Sequence, residues 1–189
     1  MNVYDFDNTI YDGESGADLF MYFFRKTPQM VRGLPWAIKL FKDYKITKLP
    51  LSDILEIHSA KVEAFGDKYV GDLDELAVDF WDKHSYKIKS FYINQHRDDD
   101  VIITACLDFL MDEVGKRLGI TNIIASEVNK KTKRLIRFCF KENKVKMFNE
   151  RYPGQRIENL YTDSYNDRLL MDISDNVYLV KGNKIKKIK

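Results

Sequence analysis

Two short apolar runs, Val3-Tyr4-Asp5-Phe6 and Val101-Ile102-Ile103-Thr104-Ala105, read as buried strands, yet from residue 14 to about 97 no strand pattern recurs. That gap constrains the fold most. The stretch carries helical stripes instead: Leu51, Ile54, Leu55, Val62 and Phe65 on one, and Leu73, Leu76, Ala77, Phe80 and Trp81 on another. Ser52 and Asp72 are candidate caps for such helices. After Ala105 strand and helix alternate. Phe109, Leu110, Val114 and Leu118 recur at helical spacing, and Gly119 supplies the stop. Strands are predicted at 122–125, 135–140, 157–162 and 176–180, with a helix over 143–152 closed by Pro153-Gly154 and a hairpin turn at Gly182-Asn183. Such alternation predicts an α/β fold: a doubly wound, mainly parallel sheet built from residues 1–13 and 98–189. Residues 14–97 are then a helical cap of about four helices, inserted after the first strand.

The first strand runs into Asp5-Phe6-Asp7-Asn8-Thr9. Alternation along a strand puts Asp5 and Asp7 on one side of the backbone, at the carboxyl edge where open α/β sheets bind ligands. Two carboxylates that close repel, and a divalent cation is the natural remedy. Asp5 is then a candidate nucleophile toward phosphorus and Asp7 a candidate proton donor and acceptor. A chance acidic turn is the plain alternative for this string taken alone. Three further features sit where such a site needs them. Thr104 ends the second strand and offers a hydroxyl; Lys144, near a helix start, offers an ammonium to a phosphoryl group. Tyr161-Thr162-Asp163-Ser164-Tyr165-Asn166-Asp167 brings two acids into a turn after another strand, suited to completing an oxygen-rich cation site. Each has an ordinary reading as well: a strand threonine, a surface lysine beside Lys141 and Lys146, and a helix-capping aspartate.

Taken in order, Asp5-Phe6-Asp7-Asn8-Thr9-Ile10, Val101-Ile102-Ile103-Thr104, Lys144 and Asp163-Ser164-Tyr165-Asn166-Asp167 resemble the four motifs of the haloacid dehalogenase (HAD) superfamily. The resemblance spans the whole chain. The long helical insertion resembles subfamily IB, the branch containing phosphoserine phosphatase, with a Rossmann-like HAD core under a helical cap. It implies a phosphoric monoester hydrolase with Asp5 as nucleophile, Asp7 as general acid and base, and Thr104 and Lys144 on the phosphoryl group. Mg²⁺ would sit on Asp5, the Asp7 carbonyl and Asp163, with Asn166 and Asp167 behind it. Glu14 corresponds in position to an acid that contacts the substrate amine in phosphoserine phosphatases. Lys61 stands where those enzymes have a cap arginine, and Ala105-Cys106 where they have glycines. Lysine does not make the bidentate contact of arginine. Glu14 and Lys61 are therefore the candidate substrate contacts, and the expected partner is a small phosphorylated metabolite.

Composition narrows the setting. At 189 residues the chain is long enough for a real core without cross-links, and Cys106 and Cys139, both in apolar runs, read as buried thiols of a reducing cytoplasm. The start lacks the pattern of a secretory leader, and Leu19–Phe24 falls far short of the roughly 18 to 20 apolar residues that span a bilayer. A cytoplasmic protein is expected. Lys and Arg number 31 against 29 Asp and Glu, a net charge of +2. Lys26, Arg32, Lys39, Lys42, Lys45 and Lys48 nevertheless gather around Trp36, Phe41 and Tyr44 with Asp43 as the sole acid, and 184–189 is basic too. A solvated helix face accounts for this, and nucleic acid is not an expected partner. The sharper reading is a weak contact with anionic membrane, which would go with a lipid phosphate substrate resembling phosphatidylglycerophosphate. The remaining alternative is a HAD-fold binding module of little activity.

Overall fold

The computed structural model describes residues 1–29, 35, 39, 46 and 59–189. Arg32, Trp36, Phe41, Asp43, Lys42, Tyr44, Lys45, Lys48, Leu51, Ser52, Ile54, Leu55 and His58 lie outside the described residues, and so does most of the basic stretch. Strand β1 (Asn2–Tyr4) is followed by helix α1 (Ser15–Lys26). Next come α2 (Ser59–Tyr69), α3 (Leu73–His84) and the short α4 (Ser90–Gln95). The alternating half is β2 (Val101–Leu107), α5 (Asp108–Leu118), β3 (Ile123–Asn129), β4 (Arg134–Arg137), α6 (Glu142–Arg151) and β5 (Ile157–Thr162). It closes with α7 (Arg168–Asp172), β6 (Ser174–Lys181) and β7 (Lys184–Lys187).

The strands form one sheet in the order β4-β3-β2-β1-β5-β6-β7, parallel from β3 to β6 and flanked by the antiparallel β4 and β7. The chain leaves β1 toward β2 on one side and returns to β5 on the other, so β1 is the switch point where ligands bind in open α/β sheets. Side chains alternate across the sheet as strand geometry demands. Tyr4 and Ile102 enter a core with α3, α4 and α5, whereas Val3, Val101, Ile103, Leu160 and Val177 enter a second with α6 and α7. Register stacks Tyr4, Tyr161 and Tyr178 on one face, ring centroids 4.5 and 4.7 Å apart.

Helix α3 forms where its apolar spacing predicts. Asp72 caps it by accepting from the amides of Asp74 and Glu75, and Leu73, Leu76, Ala77, Phe80 and Trp81 are buried. Their burial is against the sheet's own core, with the Trp81 indole donating to Leu110 O at 2.8 Å. Within the expected cap of residues 14–97, α3 and α4 bury side chains in the same core as Tyr4, Phe6 and Tyr11. Cys106 and Cys139 are free and buried. Among the described residues no helix is long and apolar enough to cross a membrane.

Candidate active site

Strand β1 ends one residue before Asp5, whose amide donates to Tyr161 O at 2.9 Å. The chain then coils tightly, and the amides of Thr9, Ile10 and Tyr11 all point at Phe6 O, at 3.2, 2.8 and 2.9 Å. Asp5 and Asp7 are therefore related by a turn, not by strand alternation. Asp7 Oδ1 accepts from the amide of Ser15, the first residue of α1, at 2.7 Å. A carboxylate there is favoured by the unpaired amides and dipole of the helix N-terminus.

Lys144 joins the parts. It is only 3% exposed, and its Nζ stands 2.8 Å from Asp5 Oδ1 and 2.8 Å from Asp167 Oδ1. Helix α6 delivers it from the first turn, while Lys146 is exposed, so the ammonium at the site is that of Lys144. Asp167 is steadied from behind by Thr162 Oγ1, which donates to its Oδ2 at 2.8 Å. Thr104 is buried in β2 and its Oγ1 accepts from the Cys106 amide at 3.0 Å, leaving the hydroxyl proton to point elsewhere.

Electrostatics follow from burial. Desolvation pushes the Asp5 carboxyl up to about 7; Lys144 pulls it back, and Asp167 and Asp163 push it further up. Burial likewise raises Asp7, against the hydrogen bonds from Ser15, and raises Asp163, where Asp167 and Glu14 add to the effect. Burial works against the Lys144 charge, but Asp5 and Asp167 outweigh it and hold its pKa above the ordinary lysine value.

Glu14 is exposed at the site's rim, accepts from Asn8 Nδ2, and its charge reaches both Asp7 and Asp163. Asn166 is exposed, with its amide turned to Ser164 Oγ. Lys61 lies exposed on α2 and, among the described residues, is bonded to none of the others. Two contributors were not foreseen from the sequence. Ser15 binds Asp7, and the buried Lys89, on the segment returning from the insertion, donates to Asn8 O. Ser15 heads a helix, a signal in hindsight; Lys89 in Lys87-Ile88-Lys89 reads as an ordinary surface charge.

Among the described residues no three His, Cys, Asp or Glu side chains converge into a ligand set. The set expected here needs only two, Asp5 and Asp163, with the Asp7 carbonyl as third donor. Asp163 and Asp167 act on Asp5, Asp167 and Glu14 act on Asp163, and Glu14 acts on Asp7, with Lys144 as the ammonium in reach of Asp5, Asp7 and Asp163, an all-oxygen surplus of negative charge. Such donors fit a hard cation of the Mg²⁺ kind.

The chain is similar to several proteins of solved structure. A solved structure of a protein of unknown function from Bordetella pertussis Tohama I has a TM-score of 0.67 at 18% identity, covering 91% of this chain and 85% of that one. A HAD family hydrolase from Salmonella enterica subsp. enterica serovar Typhi has a TM-score of 0.54 at 12% identity, covering 91% and 59%. A phosphoserine phosphohydrolase-like protein from Francisella tularensis subsp. tularensis SCHU S4 has a TM-score of 0.48 at 16% identity, covering 94% and 86%. No curated protein matches the sequence. The family model described as haloacid dehalogenase-like hydrolase matches residues 3–172, from β1 through Asp5, Thr104, Lys144 and Asp167 to the end of α7. With that span and this fold, the chain belongs to the haloacid dehalogenase-like hydrolases.

Proposed function

We propose that this hydrolase is a Mg²⁺-dependent phosphatase that cleaves a small phosphomonoester through a phospho-aspartate on Asp5. The observation that carries the reading is the buried Lys144, bonded to both Asp5 and Asp167 at the switch point of the sheet. A lysine kept charged there offers fixed positive charge to an anionic group transferred to Asp5. In the first step an Asp5 carboxylate oxygen attacks phosphorus and the bond to the leaving oxygen breaks. Asp7, whose carboxyl burial raises above the ordinary aspartate value, gives that oxygen its proton. In the second step Asp7, now a carboxylate, takes a proton from water as the water oxygen attacks phosphorus. Orthophosphate leaves and the Asp5 carboxylate is restored. Thr104 and Lys144 hold the phosphoryl oxygens, and Glu14 and Lys61 are the proposed contacts to the rest of the substrate. Asp5, the Asp7 carbonyl and Asp163 would hold Mg²⁺, with Asn166 and Asp167 behind them, and the bound cation would supply positive charge opposite the phosphoryl oxygens.

The test is turnover of p-nitrophenyl phosphate and of a panel of phosphorylated metabolites, with Mg²⁺ and with chelator. Activity should vanish in chelator and return with Mg²⁺. Asp5→Asn should lose at least about 10³-fold in kcat. Asp7→Asn should lose less on the aryl phosphate, whose leaving group needs little protonation, than on an alkyl phosphate. Full activity in chelator refutes the metal, and equal losses on both esters refute Asp7 as the acid.

A further inference from the structure

The segment returning from the insertion runs antiparallel along the loop that follows Asp7. Lys89 N donates to Ile10 O at 2.8 Å, Asp12 N donates to Lys87 O at 2.8 Å, and Tyr11 bridges to Ile88. Beyond these backbone ties, the Lys89 side chain turns inward. It is 7% exposed, and among the described residues its side-chain hydrogen bond is the one to Asn8 O. Lysine is almost never buried unless it is held. Burial lowers its pKa, and the charges that favour its ammonium form are Asp12 and Asp163.

What Lys89 holds is an unusual piece of backbone. Asn8 has a φ of 58°, left-handed for a residue with a Cβ. It is held from several sides: its amide donates to Gly13 O at 2.9 Å, its side-chain amide donates to Glu14, and its carbonyl accepts from Lys89. In a trans peptide the N–H and the C=O point in opposite directions. The bond from Asn8 N to Gly13 therefore turns the Asp7 carbonyl away from Gly13, and the grip on Asn8 O keeps the next peptide from rotating back. Neither bond touches the Asp7 side chain, whose Oδ1 accepts from the Ser15 amide at 2.7 Å; both act on the backbone that follows it.

We propose that Lys89 is a positioning residue of the reaction centre: a buried ammonium, delivered by the strand returning from the insertion, that holds Asn8 O and thereby orients the Asp7–Asn8 peptide and the Asp7 carboxyl. The proposal rests on the phosphatase reading for its kinetic consequence, while the hold on the loop stands apart from it. Lys89→Met keeps the length and the apolar stem but removes the ammonium, and Lys89→Arg keeps charge and donors. Two measurements are made on each: amide hydrogen exchange of the metal-free protein, and steady-state kinetics with p-nitrophenyl phosphate in Mg²⁺. In Lys89→Met the amides of residues 8–13 should exchange about tenfold faster or more, while those of Asp108–Leu118 keep the wild-type rate. Its kcat should fall about 10- to 100-fold with KM within about threefold of wild type, and Lys89→Arg should recover part of both losses. Unchanged exchange in the 8–13 loop overturns the proposal, as does a loosened loop with full kcat. Faster exchange everywhere marks a merely structural lysine, and a raised KM at constant kcat marks a substrate contact; either overturns it too. If the wild-type protein leaves p-nitrophenyl phosphate and the metabolite panel untouched, the phosphatase reading fails, and the exchange data alone decide whether Lys89 holds the loop.

Discussion

Lys144 is the side chain on which the site turns. Removing a partner from a buried charge group leaves the remaining charges without compensation, and here two carboxylates depend on one ammonium. Lys144→Met should therefore lower kcat on p-nitrophenyl phosphate by about 10²-fold or more, with Lys146→Met, at an exposed position two residues on, as the control that stays at wild type. Equal effects of the two substitutions in steady-state assays would remove Lys144 from the site. The sequence carried both lysines with equal chemistry. What separates them is the rotation of α6, which turns 144 inward with Met147 and Phe148 and leaves 146 in water. Asp5 and Asp7 were legible for the opposite reason. Both lie within a few residues of a strand end, so local chain geometry brings them to the sheet edge. The expected mechanism was strand alternation, whereas the structure uses a turn gathered on Phe6 O.

Among the elements, α5 joins the insertion to the sheet, since it packs against α3 on one side and β3 on the other. Gly115 is the reason it can approach so closely. A Cβ there would stand 2.7 Å from Ile120 O and 2.7 Å from Ile123 Cδ1, and one of those contacts is rigid backbone. Ala ordinarily stabilises a helix interior over Gly by about 1 kcal/mol. At this position Gly115→Ala should instead destabilise the protein by about 1–3 kcal/mol through overpacking, read from the midpoint of urea unfolding. A more stable variant would mean that α5 and β3 are less tightly docked than this. Element by element, the helices with a broad apolar stripe and a clear cap or stop, α3 and α5, were readable from periodicity. The strand β2 runs two residues past its expected end, to Leu107, because β3 continues to offer it a partner. A partner strand is not visible from one strand's own residues.

For the whole molecule, the gathered carboxylates set how stability responds to pH. Without metal, burial pushes Asp5 up to about 7 from the ordinary 3.8. The folded state then binds more protons than the unfolded chain between those values. This contribution is full below the unfolded pKa and is lost as pH rises through the folded one. Asp7 and Asp163 are shifted in the same direction. In chelator the melting temperature should accordingly fall more steeply between about pH 4 and 7 in wild type than in Asp5→Asn, and Mg²⁺ should flatten the wild-type slope by taking the proton's place. Parallel curves for wild type and Asp5→Asn would show that Asp5 ionises normally when the protein is metal-free.

The division of labour between sequence and tertiary structure follows from range. Among the described residues the order of strands and helices and the position of the acidic motif after β1 were determined by the sequence alone, because periodicity and turn chemistry act over a few neighbouring residues. The tertiary structure alone decided how residues far apart in the chain meet. It brought Lys144, which its place at a helix start already favoured over Lys146, against Asp5 across 139 positions, and it turned Lys89 inward to Asn8 across 81. It also set α3 and α4 in one core with Tyr4, Phe6 and Tyr11, because an apolar stripe is stabilised by whichever surface covers it. No local pattern records which surface that will be.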